Sequence, residues 1–320
     1  MNRTFGFLAA LALLAPEAMA QQVKVDPSIP AYQKTSGVSG NLSSVGSDTM
    51  NNLMTLWGEA FAKMYPNVKI QVEGKGSSTA PPALIAGTAQ FGPMSRAMRG
   101  TEIDQFEAKF GYKPTQLRTS FDALAVYVNK DNPLDKATLA EIDGAFSKSR
   151  RRGGKPVANW GQLGLTGDWA ARPISLYGRN SASGTYGFFK EHVLMNGDYK
   201  DAVKEQPGSA SVVQGITADR VGIGYSGIGY KTSGVKNLAL TAKAGGTYSD
   251  GSYEDVVAGK YPLARFLYLY VNKAPGKELD PVVREFLKLV FSREGQEIVV
   301  KDGYYPMTAK LVEEELAKLR

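Results

Sequence analysis

The chain has 320 residues, a net charge of +7 at pH 7, one histidine and no cysteine. That composition excludes disulfides, thiolate metal sites and a His-rich metal centre, and it removes the cysteine on which a bacterial lipid anchor is built. The length supports two domains with their own cores, and the basic balance favours anionic partners. No nucleic-acid partner is expected. The densest basic run, Lys148-Ser149-Arg150-Arg151-Arg152, precedes Gly153-Gly154 as a solvated loop and lacks interleaved aromatics.

Residues 1–20 carry Arg3, a short apolar run over 5–14 and then Ala18-Met19-Ala20. This is the pattern of a secretory signal peptide cleaved after Ala20, and the run is well short of the roughly 20 apolar residues a membrane span needs. Residues 21–38 are polar, contain Pro27 and Pro30, and read as a flexible leader. A strand is expected over 42–45 and a helix over 49–64, where Leu53, Leu56, Trp57, Ala60, Phe61 and Met64 recur at three- and four-residue spacing. Tyr65-Pro66-Asn67 stops that helix. A strand over 68–72, a short helix over 81–87, a strand over 90–92 and a helix over 101–110 follow.

Further on, 121–129 reads as an apolar strand, 136–146 as a helix and 160–164 as a loop. Residues 174–177 form a strand, 185–194 a helix and 219–225 a glycine-punctuated strand. A strongly apolar, aromatic strand is expected over 263–272, then amphipathic helices over 281–291 and 294–301. This alternation is that of an α/β protein, whose open sheets bind ligands at the carboxyl ends of their strands.

Three clusters stand at such strand-to-helix junctions: Gly46-Ser47-Asp48-Thr49-Met50, Gly74-Lys75-Gly76-Ser77-Ser78-Thr79 and Gly178-Arg179-Asn180-Ser181-Ala182-Ser183-Gly184-Thr185. A helix start leaves backbone N–H groups without partners, and one rich in Gly, Ser and Thr receives an oxyanion. Three of them, with Arg96 and Arg179 nearby, point to a tetrahedral anion in a cleft between two lobes. Each of Ser47, Asp48, Ser77, Ser78 and Ser183 also reads as an ordinary helix cap, and Arg96 equally as a structural cation on the cleft rim.

These clusters, in order with Phe91-Gly92, Ser95-Arg96, Gly222-Ile223-Gly224-Tyr225, Tyr261-Pro262-Leu263-Ala264-Arg265 and Gly303-Tyr304-Tyr305-Pro306, give the chain a resemblance to the periplasmic phosphate-binding proteins that feed ABC importers. The resemblance spans nearly all of the mature chain. It implies a two-lobed type II periplasmic binding protein with two hinge strands, lobe one being 39–118 plus 265–320 and lobe two 119–264. The crossings are expected near Thr119-Ser120 and Leu263-Ala264. It implies inorganic phosphate as ligand, the membrane subunits of an ABC transporter as partners, a periplasmic monomer, and neither cofactor nor catalysis.

Residue by residue, the resemblance implies phosphate contacts from Thr49, Met50, Ser77, Arg179, Ser183, Gly184 and Thr185, with Ser47, Asp48, Ser78, Ser95 and Arg96 as further candidates. One departure stands out. Many members carry an aspartate after Phe-Gly-x-Ser, which accepts the proton of a protonated phosphate and so rejects sulfate; here that position is best matched by Arg96, an obligate donor. Asp48 is the nearest alternative acceptor. Sulfate, molybdate and phosphonates therefore stay open as ligands. A secreted phosphatase is the remaining alternative, although Gly-x-Ser-x-Gly and a carboxylate–histidine cluster are both absent.

Overall fold

The computed structural model describes residues 23–320; the expected signal peptide and its cleavage point after Ala20 lie outside them. Among the described residues no helix is long and apolar enough to cross a membrane. Residues 23–39 are not a free leader. Ile29 is fully buried, the Tyr32 backbone N–H donates to Glu294, and Arg293 donates to the Pro30 carbonyl, so an isoleucine and a tyrosine in a polar stretch are enough to dock it on the carboxy-terminal helices.

The folded chain opens with β1 (Gly40–Val45), α1 (Asn51–Met64) and β2 (Val68–Glu73), a strand–helix–strand unit in which β1 and β2 pair in parallel from Gly40↔Val68 to Val45↔Glu73. α1 forms because Leu53, Met54, Trp57 and Phe61 fall on one face, and that face is buried. α2 (Ala80–Ala86) begins with prolines in its first turn and ends at Gly87 in the left-handed region. β3 (Gly92–Met94) and α3 (Gly100–Phe110) complete this part.

β4 (Thr115–Asn129) is the longest strand and the spine of the molecule. After it come β5 (Lys136–Thr138), α4 (Leu139–Phe146), β6 (Ser175–Arg179), α5 (Gly184–His192), β7 (Lys204–Gln206), α6 (Ser209–Ala218) and β8 (Gly222–Gly227). Then follow β9 (Val235–Asn237), β10 (Ala239–Thr241), α7 (Tyr253–Val257), β11 (Ala264–Val271), α8 (Pro281–Val290), α9 (Arg293–Lys301) and α10 (Ala309–Ala317). The large sheet runs β3-β11-β4-β8-β6-β7, with β9 also paired to β4. The first part of β4 pairs antiparallel with β11, and its second part with β8 and β9. β4 thus joins the two halves of this α/β sheet, and the β4–β11 register shifts between Leu267 and Tyr268, opposite Ser120 and Arg118.

The carboxy-terminal helices α8 and α9 pack back on α1. Phe286 of α8 packs against Phe61 and Phe91 with ring centroids 5.4 and 4.8 Å apart, and Trp57 Nε1 donates to the Gly295 carbonyl at 2.9 Å. Burying a ring such as Phe286 contributes about 2–3 kcal/mol.

Two expectations change. The helix expected over 136–146 starts only at Leu139, because Thr138 caps it: the Thr138 hydroxyl accepts from Glu141 N at 3.2 Å while the Glu141 carboxylate accepts from Thr138 N at 2.7 Å. Lys136, Ala137 and the cap residue Thr138 itself pair with β10 instead. α6 and α10 were not expected from the sequence. α6 is short, yet Val212, Val213 and Ile216 lie on its buried side.

Candidate anion-binding site

β1, β2 and β6 all end where the chain turns into a helical start, and these ends meet. After β1 the backbone makes a single 3-10 turn at Asp48–Met50; after β2 another at Ser77–Thr79; after β6 comes α5. Between these turns lies a chain of buried hydroxyls. Thr49 Oγ1 is 2.9 Å from Thr185 Oγ1, Thr185 Oγ1 is 3.3 Å from Ser95 Oγ, and Ser95 Oγ is 3.3 Å from Ser77 Oγ. Four segments far apart in sequence supply these four groups, and all four residues are almost fully buried.

Gly184 is required by this convergence. A Cβ there would sit 2.3 Å from Ser77 Oγ and 2.7 Å from Ser95 Oγ, so only glycine lets the α5 backbone approach the hydroxyls. Gly76 has φ of +116° and faces the Ala182 carbonyl, which also accepts from the Ser78 backbone N–H and from Ser78 Oγ. Ser78 therefore ties the second cluster to the third. Ser183 is the N-cap of α5, its Oγ accepting from Thr185 N and Tyr186 N, which leaves its hydroxyl proton to donate elsewhere. Met50 is buried, and its N–H donates to the Ser47 carbonyl in the 3-10 turn. Ser47 Oγ is buried with no hydrogen-bond partner among the described residues.

Arg179 is at the carboxyl end of β6 and is 1 % exposed. Its terminal nitrogens donate to Ser209 Oγ at 2.6 Å and to the Pro207 carbonyl at 3.2 Å, and they pair with Asp48 at 3.2 Å. Nε has no partner among the described residues. Burial pulls the guanidinium below its ordinary pKa while Asp48 opposes the shift; the group remains a cation. Asp48 also accepts from Ser209 N at 2.7 Å. It does act as a helix cap, but for α6 across the cleft rather than for its own turn.

Arg96 takes a different place. Both its terminal nitrogens donate to the Glu102 carboxylate, at 2.7 and 2.6 Å, and a further bond reaches the Ala97 carbonyl. Burial alone would raise the Glu102 carboxyl, but the bonds from Arg96 and from the Arg99 N–H outweigh it and hold the carboxyl below its usual range. No hydrogen bond among the described residues joins Arg96 to the hydroxyl chain.

A second buried guanidinium stands where the sequence reading placed none. Arg265 of β11 is the direct cross-strand partner of Asp122 on β4. It binds Asp122 through Nε at 2.8 Å, the Ser95 carbonyl at 2.8 Å and Thr185 Oγ1 at 3.0 Å. Asp122 is fully buried, and its other oxygen accepts from Ile228 N at 3.0 Å. The signal was legible: an aspartate inside Phe121-Asp122-Ala123-Leu124 and an arginine beside Leu263-Ala264 are charges in apolar strands, and such charges need partners. Ser209 was missed with the helix it begins.

The basic run at 148–152 is not simply solvated. Arg152 donates to the Val193 carbonyl at 2.7 Å and to that of His192, and Arg151 to that of Met195 at 3.2 Å. These cations cover the carboxyl end of α5, where the helix dipole is negative. The opposite, positive end of α5 faces the hydroxyls. Buried together, the hydroxyls, a helix start and two guanidinium groups form a donor set suited to an oxyanion.

Residues 31–294 match the PBP superfamily domain. The chain is 55% identical over 98% of both chains to the phosphate-binding protein PstS of Pseudomonas aeruginosa. Among solved structures, an ABC-type phosphate transport receptor from Vibrio cholerae superposes with a TM-score of 0.63 at 20% identity, covering 83% of this chain and all of that one. A phosphate-binding protein from Stenotrophomonas maltophilia gives 0.66 at 14% identity, covering 87% and 94%. At such identities the structural matches speak for the fold, a two-lobed binding protein, while the Pseudomonas relative speaks for the lineage: the chain belongs to the PstS family of phosphate-binding proteins.

Proposed function

We propose that this chain binds one inorganic phosphate per molecule, as a monomer in the periplasm after removal of residues 1–20, and hands it to the membrane subunits of an ABC transporter. It performs no catalysis and uses no cofactor. The observation that carries this reading is the hydroxyl chain Thr49–Thr185–Ser95–Ser77, drawn from four segments and flanked by two buried guanidinium groups. The name of the 55% identical relative supports it.

In this reading lobe one is 39–118 with 265–320 and lobe two is 119–264, and closure brings Thr49, Ser77 and Ser95 against Ser183, Gly184 and Thr185. A phosphate between them receives hydroxyl protons from Thr49, Ser77 and Thr185, the backbone N–H of Gly184, that of Met50 once it turns from the Ser47 carbonyl, and the charge of Arg179. Each charge-assisted bond to a desolvated anion contributes roughly 1.5–3 kcal/mol. Because the ligand touches both lobes, it favours the closed form by its differential affinity, and the closed form is what a transporter reads.

The test is calorimetric titration with phosphate, arsenate, sulfate and molybdate between mildly acidic and mildly alkaline pH, together with native mass spectrometry. The expected result is one phosphate per monomer. No heat with phosphate, or an obligate dimer, overturns the proposal; stronger heat with sulfate or molybdate reassigns the ligand.

A further inference from the structure

Arg265 lies outside every cluster that marks the anion site in the sequence, yet it touches both sides of it. Its guanidinium reaches the Ser95 carbonyl on the first lobe and Thr185 Oγ1 at the start of α5 on the second. It projects from β11, which pairs along its length with the first part of β4. Asp122, directly opposite on β4, holds Nε and a terminal nitrogen at 2.8 and 2.7 Å. Asp122 is in turn fixed by Ile228 N. Few atoms in this fork are free to move.

The donor sense of the hydroxyls follows. A guanidinium donates and cannot accept, so Thr185 Oγ1 accepts from Arg265 and its single proton points into the hydroxyl chain, toward Ser95 Oγ at 3.3 Å. Ser77 Oγ likewise accepts from Ser95 N at 3.1 Å, which leaves its proton for the same chain, where Ser95 Oγ is 3.3 Å away. The carbonyl of that same Ser95 is the one Arg265 holds. One arginine thereby sets the position of Ser95 and the polarity of Thr185.

We propose that Arg265, clamped by Asp122, is a positioning residue of the phosphate site: it acts on the anion through Thr185 and Ser95, orienting hydroxyl protons from the two lobes toward one point. The inference rests on the reading that the hydroxyl chain holds phosphate. A lysine cannot replace it, because a point charge on a flexible stem does not reproduce a planar fork with three separate acceptors.

The experiment measures phosphate affinity by calorimetry and thermal unfolding for the wild type, Arg265→Lys, Thr185→Val and the double variant. Arg265→Lys is expected to weaken phosphate binding by about 10- to 100-fold. The double variant is expected to lose far less than the product of the two single losses, because Arg265 acts through the hydroxyl that Thr185→Val removes. Arg265→Lys that unfolds at lower temperature but binds within about threefold of wild type overturns the inference, since the arginine is then only structural. Losses that multiply also overturn it, since the arginine then acts independently of Thr185. If Arg265→Lys does not fold, Arg265→Gln with Asp122→Asn removes both charges together and leaves no unpaired buried ion. That variant should fold and lose binding, and binding within threefold of wild type refutes the role. A wild-type protein that takes no phosphate fells the function proposed above and this inference with it, whereas wild-type binding with an indifferent Arg265 fells the inference alone.

Discussion

Two arginine–carboxylate pairs flank the hydroxyl chain, and they are built differently. Arg265 and Asp122 stand on neighbouring strands in direct register, both almost wholly buried, with side chains 2 % and 0 % exposed. Arg179 and Asp48 come from a strand end and a 3-10 turn 131 positions apart by number, and the Asp48 side chain is 23 % exposed. The first pair is part of the sheet and persists whatever the lobes do. If the lobes divide as proposed above, the second forms only when the cleft is shut, because Asp48 then has to reach Ser209 N and Arg179 on the other lobe. A buried pair breaks at a cost of several kcal/mol when one partner is lost, so a fixture suits the strands and a partly wet pair suits a joint that opens.

The largest effect should come from taking the cation out of the joint. Arg179→Ala is expected to weaken phosphate binding by about thirty- to several-thousand-fold, corresponding to about 2–5 kcal/mol for a charged partner removed from a desolvated ion. Calorimetry with an unchanged circular dichroism spectrum checks this. Binding within threefold of wild type would place Arg179 outside the site and leave Arg265 as its main cation.

Changing the carboxylate of the joint should do less. Asp48→Asn keeps an acceptor for Ser209 N but removes the charge facing Arg179. Phosphate affinity is expected to change by less than about tenfold, as for one hydrogen bond altered in strength rather than lost. The ligand-free protein should spend more time open, seen as a larger radius of gyration in small-angle scattering. The same variant tests selectivity. With Asp48 engaged by Arg179 and Ser209 N, a site dominated by donors is expected to discriminate weakly against sulfate, and Asp48→Asn should leave that discrimination unchanged. If the wild type ignores millimolar sulfate and Asp48→Asn admits it, Asp48 accepts the phosphate proton after all.

The smallest effect sharpens the comparison with a carboxylate that has no arginine. Asp302 carries a hydrogen bond from Asn52, and burial raises its carboxyl from 3.8 to about 6. Folded Asp302 therefore keeps its proton at pH values where the unfolded chain has released it. Its favourable contribution is full below about pH 4 and lost as pH rises through about 6. Asp302→Asn is expected to flatten stability across that window and to raise stability at pH 7 by about 1–2 kcal/mol, an effect discounted for partial exposure. Melting temperatures at pH 4.5 and pH 7 decide it; a variant less stable at both shows that the charged carboxylate is favourable where it stands.

The parts of the site that were legible are those whose chemistry is local. A Gly-Ser-Thr cluster at a strand-to-helix junction declares its free N–H groups and hydroxyls without reference to the rest of the chain. The division between cap and ligand was not legible, because Ser183 is a cap for its own helix, Asp48 a cap for a distant one, and Ser78 a tie to Ala182. Arg96 read as either ligand or structural cation, and the structure shows Glu102 engaging both of its terminal nitrogens with a carboxylate.

The sequence by itself determined the α/β alternation, the amphipathic faces of α1, α8 and α9, and the residue types of an anion site, since each depends on periodicity or on chemistry within a few positions. Tertiary structure alone decided that α8 returns to α1, that the chain before β1 is docked rather than loose, and that Asp122 and Arg265 form a pair. Those facts depend on which strands become neighbours. Register across β4 and β11 sets a carboxylate opposite a guanidinium 143 positions away, and no local pattern encodes a distance that exists only after the sheet has formed.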